Sequence, residues 1–172
     1  MNHSHADLVI PTREPARPVS APRRLARLLT RGPGHLAAPA ARWAVTGLAL
    51  AGAALMVWSS VIHLQLWSDG YRTISVIGPL FLIQGIAGIA LALAMVVLRR
   101  AALLAAGAAL LAGTAAGLLV SSAFGLFGFQ DNLAVPDAMT SLTVEFTGAA
   151  ALAVATGILL AARPRLTTVD TV

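Results

Sequence analysis

Four long apolar runs, separated by short polar connections, occupy most of this 172-residue chain. Each run exceeds the roughly 20 residues that an α-helix needs to cross the hydrocarbon core of a bilayer. Only 11% of the residues are charged, against about 25% in a typical soluble domain. The pattern therefore predicts an all-α integral membrane four-helix bundle, a single domain over residues 43–162. Its spans lie at about 43–66, 74–98, 101–124 and 139–162.

The residues before the first span are polar, proline-rich and basic. Residues 1–21 bury too little apolar area to offset the entropy of ordering, so they are predicted to be a disordered tail. Residues 22–42 form a juxtamembrane segment, with a short basic amphipathic helix over 22–31 and a Gly- and Pro-rich linker after it. The helix would bind anionic lipids of the inner leaflet through four arginines: Arg23, Arg24, Arg27 and Arg31. The alternative is a basic flank that only sets the topology.

The distribution of arginine predicts how the bundle is oriented. Arginines occur in the N-terminal tail, at the Arg99-Arg100 connection, and in the tail formed by residues 163–172. The connections 67–73 and 125–138 hold one arginine between them. Because cytoplasmic connections are enriched in positive charge, both termini are predicted to be cytoplasmic. The basic tail lacks aromatic residues, which argues against nucleic-acid binding.

Three strongly polar side chains lie within the apolar runs: His63, Gln84 and Glu145. Each has small residues at intervals of four along its own helix, and such lines usually face other helices rather than lipid. Counted at 1.5 Å per residue, all three fall in the outer half of the bilayer. We therefore expect an outward-facing polar pocket in which they bind a ligand or exchange protons. The alternative for each is a structural hydrogen bond.

The first outer connection adds a fourth candidate and two aromatic anchors. Arg72 lies at the outer start of the second span, where it could pair with an acidic side chain or bind an anionic ligand. Trp67 and Tyr71 are typical of the aromatic belt at a membrane interface.

The third span carries a stripe of small residues at every fourth position. Such a stripe lets helix backbones approach closely, and it predicts helix packing. Its partner would be another helix of this chain or a second copy. The stripe includes Ala109, Gly113, Gly117 and Ser121.

Several kinds of chemistry find no support in the sequence. The chain has no cysteine, which excludes thiolate metal sites, disulfides and cysteine nucleophiles. It also lacks the HExxH, GxSxG, phosphate-loop and dinucleotide-binding motifs. No catalytic residue and no metal ligand is assigned, so an enzymatic role is open but disfavoured.

The run HLQLWSDGYRTISVIGPLFLIQGIAG, followed by GLFGF and then Glu145, resembles a group of small four-helix integral membrane proteins from actinobacteria. The resemblance covers about residues 55–150. It implies four helices and a bacterial plasma membrane, with no activity to transfer. Four-helix proteins of the DoxX type are similar in size and layout only.

Three functions agree with these observations. The first is a non-enzymatic accessory or interaction component that packs against a membrane protein partner or a second copy. The second is a binding protein for a quinone-type or other lipid-soluble redox ligand, with His63 and Glu145 as the polar contacts. The third is a small proton-coupled transporter that acts as an oligomer. The sequence requires no cofactor, and a quinone is the candidate.

Overall fold

The computed structural model describes residues 21–162, and within them the chain is helical apart from its connections. A single isolated β-bridge, between Leu126 and Phe129, is the only strand-like pairing in this part of the chain. The predicted all-α four-helix bundle is thus confirmed. The predicted tails, 1–21 except for its last residue and 163–172, lie outside the described residues. The helices are α1 (Ala21–Leu29), α2 (Pro39–Ser68), α3 (Ile77–Leu98), α4 (Ala101–Phe124) and α5 (Pro136–Ala161).

The four long helices, α2 to α5, are each long and apolar enough to cross a membrane. Two of them begin earlier than the hydrophobic pattern predicts. The first span was expected from residue 43 and the fourth from residue 139, whereas the helices start at Pro39 and Pro136. Proline is well suited to the first helical position because its fixed φ matches the helix and its missing N–H costs nothing there.

The packing of the bundle is uneven. Helix α2 packs along both α3 and α5, and α5 also packs along α4. By contrast, α3 and α4 pack little against each other, although only Arg99 and Arg100 separate them. We call the end of the bundle with this short connection the base and the opposite end the top. All four long helices contribute to the core, which is filled by large side chains that include Met56, Leu111 and Leu152.

Close helix approach depends on glycines other than those of the predicted stripe. A Cβ added to Gly148 would lie 2.6 Å from Leu111 Cδ1, and one added to Gly52 would lie 2.5 Å from Leu152. A Cβ at Gly113 or Gly117 would meet nothing within 4 Å. Within the described residues no other helix of this chain therefore approaches these two stripe glycines closely, and they do not support the alternative of packing within the chain. Packing against a second copy stays a prediction.

The juxtamembrane segment is docked under the base of the bundle. The Ala101 N–H donates to the Arg31 carbonyl at 2.8 Å, and Arg31 Nη1 donates to the carbonyls of Ala162 at 3.0 Å and Leu160 at 3.3 Å. Leu36 is buried in the core. The sequence indicated a Gly- and Pro-rich linker here. In the structure, Leu36 of this linker is packed in the core, and Arg31 just before it is bonded to the end of α5.

Arg31 differs from the other arginines that were predicted to contact lipid. Its guanidinium is occupied by the last carbonyls of α5, where a positive charge also complements the negative end of the helix dipole. Arg27 is exposed and free of such contacts among the described residues. The side chains of Arg23 and Arg24 lie outside what the structure describes.

Candidate functional site

A cavity of about 370 Å³ lies between α3 and α4, toward the top of the bundle. It exists because these two helices pack little against each other and because α4 presents small residues to the gap. The four stripe residues of α4 line this cavity. So do His63 from α2, Gln84 from α3 and Glu145 from α5. The three polar side chains predicted to share a pocket are thus brought together.

Glu145 is completely buried, yet only one of its two carboxyl oxygens has hydrogen-bond partners. Ser59 Oγ donates to Oε1 at 2.9 Å, and Ser141 Oγ donates to the same oxygen at 3.0 Å. The other oxygen, Oε2, is buried without a partner among the described residues. The protein therefore fixes one oxygen of the carboxyl group and leaves the second without a partner, in a residue that lines the cavity.

His63 is held in one orientation next to this carboxyl group. Its Nδ1 lies 2.8 Å from the Ser59 carbonyl oxygen. A carbonyl can only accept, so Nδ1 carries the proton and Nε2 of the neutral ring is an acceptor. Nε2 lies 3.9 Å from Glu145 Oε1, which is beyond a direct hydrogen bond. The ring packs edge-on against Phe81, with 5.0 Å between ring centroids.

Gln84 forms a polar link between the two diverging helices. Its Nε2 donates to Thr114 Oγ1 at 3.2 Å, and the Thr114 hydroxyl donates to the Leu110 carbonyl at 2.6 Å. Gln84 thus forms a hydrogen bond between helices, which is the alternative that the sequence left open for it. It also lines the cavity.

Three aromatic rings form one wall of the cavity. Tyr71 stacks on Phe81, with centroids 5.1 Å apart, and meets Phe129 edge-on at 5.5 Å. Tyr71 is therefore packed into the site, in addition to any role as an interface anchor. Burial raises the pKa of the Tyr71 phenol, and the nearby carboxylates of Asp131 and Asp137 raise this pKa further. Trp67, the other predicted anchor, is half-buried and does not line the cavity.

Arg72 is not brought to the site. It is exposed on the short turn between α2 and α3 and does not line the cavity. Among residues 21–162 the only contact at ion-pair distance is the one between His63 and Glu145. The pairing of Arg72 with Asp69, Asp137 or Glu145, which the sequence suggested, is therefore absent from the described part of the chain.

Three polar partners were missed at the level of sequence, although two of them left a signal. Ser141 precedes Glu145 by one helical turn and Ser59 precedes His63 by one turn, so each pair shares a helix face. Thr114 gave no such signal, because it meets Gln84 only through the packing of α3 against α4. Within the described ranges, no group of three His, Asp or Glu side chains is placed to hold a metal ion.

Comparisons with protein-family models, with curated proteins and with solved structures found no match to this chain. What the cavity can do must be inferred from its own side chains. Its wall is mostly apolar, with leucines at positions 66, 80, 110, 118 and 126. Such a site suits a molecule with an apolar body and one polar group, because both parts find matching surfaces.

Proposed function

We propose that this chain is a membrane-embedded binding protein for a small, lipid-soluble molecule. The observation that supports it best is the unpartnered Oε2 of the buried Glu145. A buried polar atom without a partner costs about 1–3 kcal/mol, and native structures contain few of them. A ligand that occupies the adjacent cavity and hydrogen-bonds to this oxygen removes that cost.

The size and position of the cavity support the same proposal. Its volume of about 370 Å³ lies within the roughly 300–1,000 Å³ of small-molecule sites. Leu80 of α3 and Ala109 and Gly113 of α4 line the cavity and are exposed, so the cavity is open between these two helices. In a four-span protein an opening between two helices faces lipid, so a ligand can enter sideways from the bilayer.

The functions expected from the sequence relate to this proposal in different ways. A quinone-type ligand belongs to the proposed class, because a quinol hydroxyl can donate to Glu145 Oε2. An accessory or interaction role needs only packing surfaces and gives no account of the unpartnered oxygen. It stays a prediction, as does transport by an oligomer.

The first test is to identify what the protein retains from its native membrane. We expect purification in native lipid, followed by solvent extraction and mass spectrometry, to find one compound in stoichiometric amount. Glu145→Gln should reduce its retention at least about fivefold, the cost of roughly 1 kcal/mol for a lost hydrogen bond. Thr143→Ala, an exposed position on the same helix, is the matched control and should retain the compound. Equal retention by Glu145→Gln would contradict the proposal, and co-purifying proteins would favour the accessory role.

A second test blocks the cavity without touching any polar group. Gly113 lines the cavity, and a Cβ there meets nothing within 4 Å, so Gly113→Leu should fit into the empty space. We expect it to abolish retention of the compound while thermal stability in detergent stays the same or rises. Ala112→Leu adds the same side chain at an exposed neighbouring position that does not line the cavity, and it should behave like the unmodified protein.

A further inference from the structure

The ionisable side chains that line the cavity are mostly acidic. Three carboxyl groups line it, those of Asp131, Asp137 and Glu145, and no arginine of the described residues does. The one side chain on the wall that could become cationic is His63. Its Nδ1 faces the Ser59 carbonyl and its Nε2 faces Glu145, so it offers little to an anionic ligand. An anion would meet carboxyl groups at both ends of the cavity.

These carboxyl groups form a path from the top of the bundle inward. Asp131 lies in the connection between α4 and α5, and Asp137 lies in the first turn of α5. Glu145 follows two helical turns later, about 12 Å deeper at 1.5 Å per residue. A cleft with charges of one sign and apolar walls concentrates ions of the opposite sign. Cations are therefore favoured at the entrance as well as at the buried end.

We infer that the ligand is a hydrophobic organic cation, an amine or ammonium compound whose charged nitrogen lies beside Glu145 Oε2. This deepens the proposed function and depends on it. A protonated amine supplies the N–H donor that Oε2 lacks and the positive charge that the cavity lining favours. Hydrogen bonds between an ammonium and a carboxylate are about twice as strong as neutral ones.

The remaining walls also fit an organic rather than an inorganic cation. The aromatic cluster of Tyr71, Phe81 and Phe129 lies beside the carboxyl groups, and aromatic faces attract alkylammonium groups. A bare metal ion would need several oxygen or nitrogen ligands at once. Within the described residues no three His, Asp or Glu side chains are grouped to provide them. The leucines on the wall are left to contact an alkyl or aryl body.

The experiment compares three probes that share one alkyl chain: octylammonium, octanol and octanoate. Octylammonium and octanol both donate a hydrogen bond, so the main difference between them is the charge. Binding is measured by calorimetry at neutral pH, with the protein in discs of zwitterionic phosphatidylcholine and empty discs as the blank. We expect octylammonium to bind at least about tenfold more tightly than octanol, a preference of the size that a charge-assisted hydrogen bond gives. Octanoate should not bind.

Variants assign this preference to particular carboxyl groups. Glu145→Gln keeps an oxygen for Ser59 and Ser141 but removes the charge, so it should make octylammonium and octanol bind equally. Asp137→Asn, at the entrance, should slow association of octylammonium and make its rate less dependent on salt. Thr143→Ala should leave both preference and rate unchanged.

The single tyrosine of the chain provides an independent readout. A cation in the cavity stabilises the phenolate. Bound octyltrimethylammonium, which keeps its charge above pH 10, should therefore lower the pKa of Tyr71, whereas bound octanol should not. The near-ultraviolet absorbance of tyrosinate measures this directly.

The outcomes separate the two proposals. Equal binding of octylammonium and octanol that Gly113→Leu abolishes would overturn the cationic ligand and leave the small-molecule site standing. Preferred binding of octanoate would likewise overturn the cationic ligand and leave the small-molecule site standing. Failure of all three probes to bind, with no compound retained from native membranes, would overturn both.

Discussion

At the scale of single residues, Glu145 shows how a buried carboxyl group can be held and yet remain available. The two serine hydroxyls fix Oε1 and so fix the rotation of the whole group. Because both serines donate to the same oxygen, the second oxygen has no hydrogen-bond partner among the described residues. His63 adds an acceptor nitrogen 3.9 Å from Oε1. This asymmetry is the reason for proposing Glu145 as a ligand contact.

Tyr71 gives a prediction at the same scale. Its pKa is raised above the ordinary value of 10.0, first by burial and then by Asp131 and Asp137. We therefore expect an absorbance titration of the only tyrosine to have its midpoint above pH 10. Since the folded pKa lies above the unfolded one, the stabilisation is complete below pH 10 and is lost as the pH rises through the folded pKa. Stability should accordingly fall on the alkaline side of pH 10.

The two causes can be separated by substitution. Asp131→Asn and Asp137→Asn together should lower the pKa of Tyr71 only part of the way to 10.0, because burial is the larger cause. Asp69→Asn, at an exposed position in the preceding turn, is the control and should leave the midpoint unchanged. A midpoint at or below pH 10 in the unmodified protein would show that the ring is not packed as described.

Much of the polar cluster could be predicted from the sequence, and its limits have a physical cause. The spacing of residues along a helix and their depth from its end can be read from one helix at a time. These two properties were enough to predict that His63, Gln84 and Glu145 share a pocket. Which atoms pair is decided by rotamers and by the approach of a second helix. For that reason Thr114 and the exposed position of Arg72 could not be derived.

At the scale of helices, the small-residue stripe of α4 shows that one sequence pattern can have two structural outcomes. A small residue permits close approach of another helix, and it equally permits an empty space. The sequence pattern is the same in both cases, and only the presence of a neighbour distinguishes them. The glycines that do allow close packing, such as Gly52 and Gly148, each face a leucine of another helix.

Helix α5 offers a matched test of this distinction. Gly148→Val should lower the free energy of unfolding by about 1–3 kcal/mol, the usual cost of overpacking, because Leu111 and Leu55 lie within 3.2 Å of the added Cβ. Gly157→Val places the same side chain on the same helix where nothing lies within 4 Å, and it should change the unfolding free energy little. Both can be measured by reversible unfolding in mixed detergents. Similar effects of the two variants would mean that α5 is packed differently.

At the scale of the whole molecule, the bundle combines a tightly packed part with an open gap. All four long helices contribute to the core, but α3 packs mainly against α2 and leaves the gap toward α4. The number of spans and the fold class followed from hydrophobicity alone, because a helix in lipid must satisfy its own backbone. The uneven packing did not, since it depends on the shapes of facing side chains.

The docked juxtamembrane segment leads to a prediction about the base of the bundle. Arg31→Gln removes the charge that faces the last carbonyls of α5 and shortens the reach of the donor. We expect the free energy of unfolding to fall by about 1 kcal/mol, the typical value for a hydrogen bond at a helix end. Arg27→Gln, at an exposed position, should have no effect of this size. Equal loss in both variants would point to a general effect of charge.

The same contacts have a consequence for the order in which the protein is made. Arg31 leaves the ribosome before any of the four long helices, whereas its acceptors, Leu160 and Ala162, leave after nearly all of them. The earliest and latest parts of the described chain can therefore join only once all four long helices have been synthesised. Until then, the arginine that will hold the end of α5 remains without its acceptors. The hydrogen bonds from Arg31 to the end of α5 can thus form only in a chain that has been synthesised to residue 162, and shorter chains lack them.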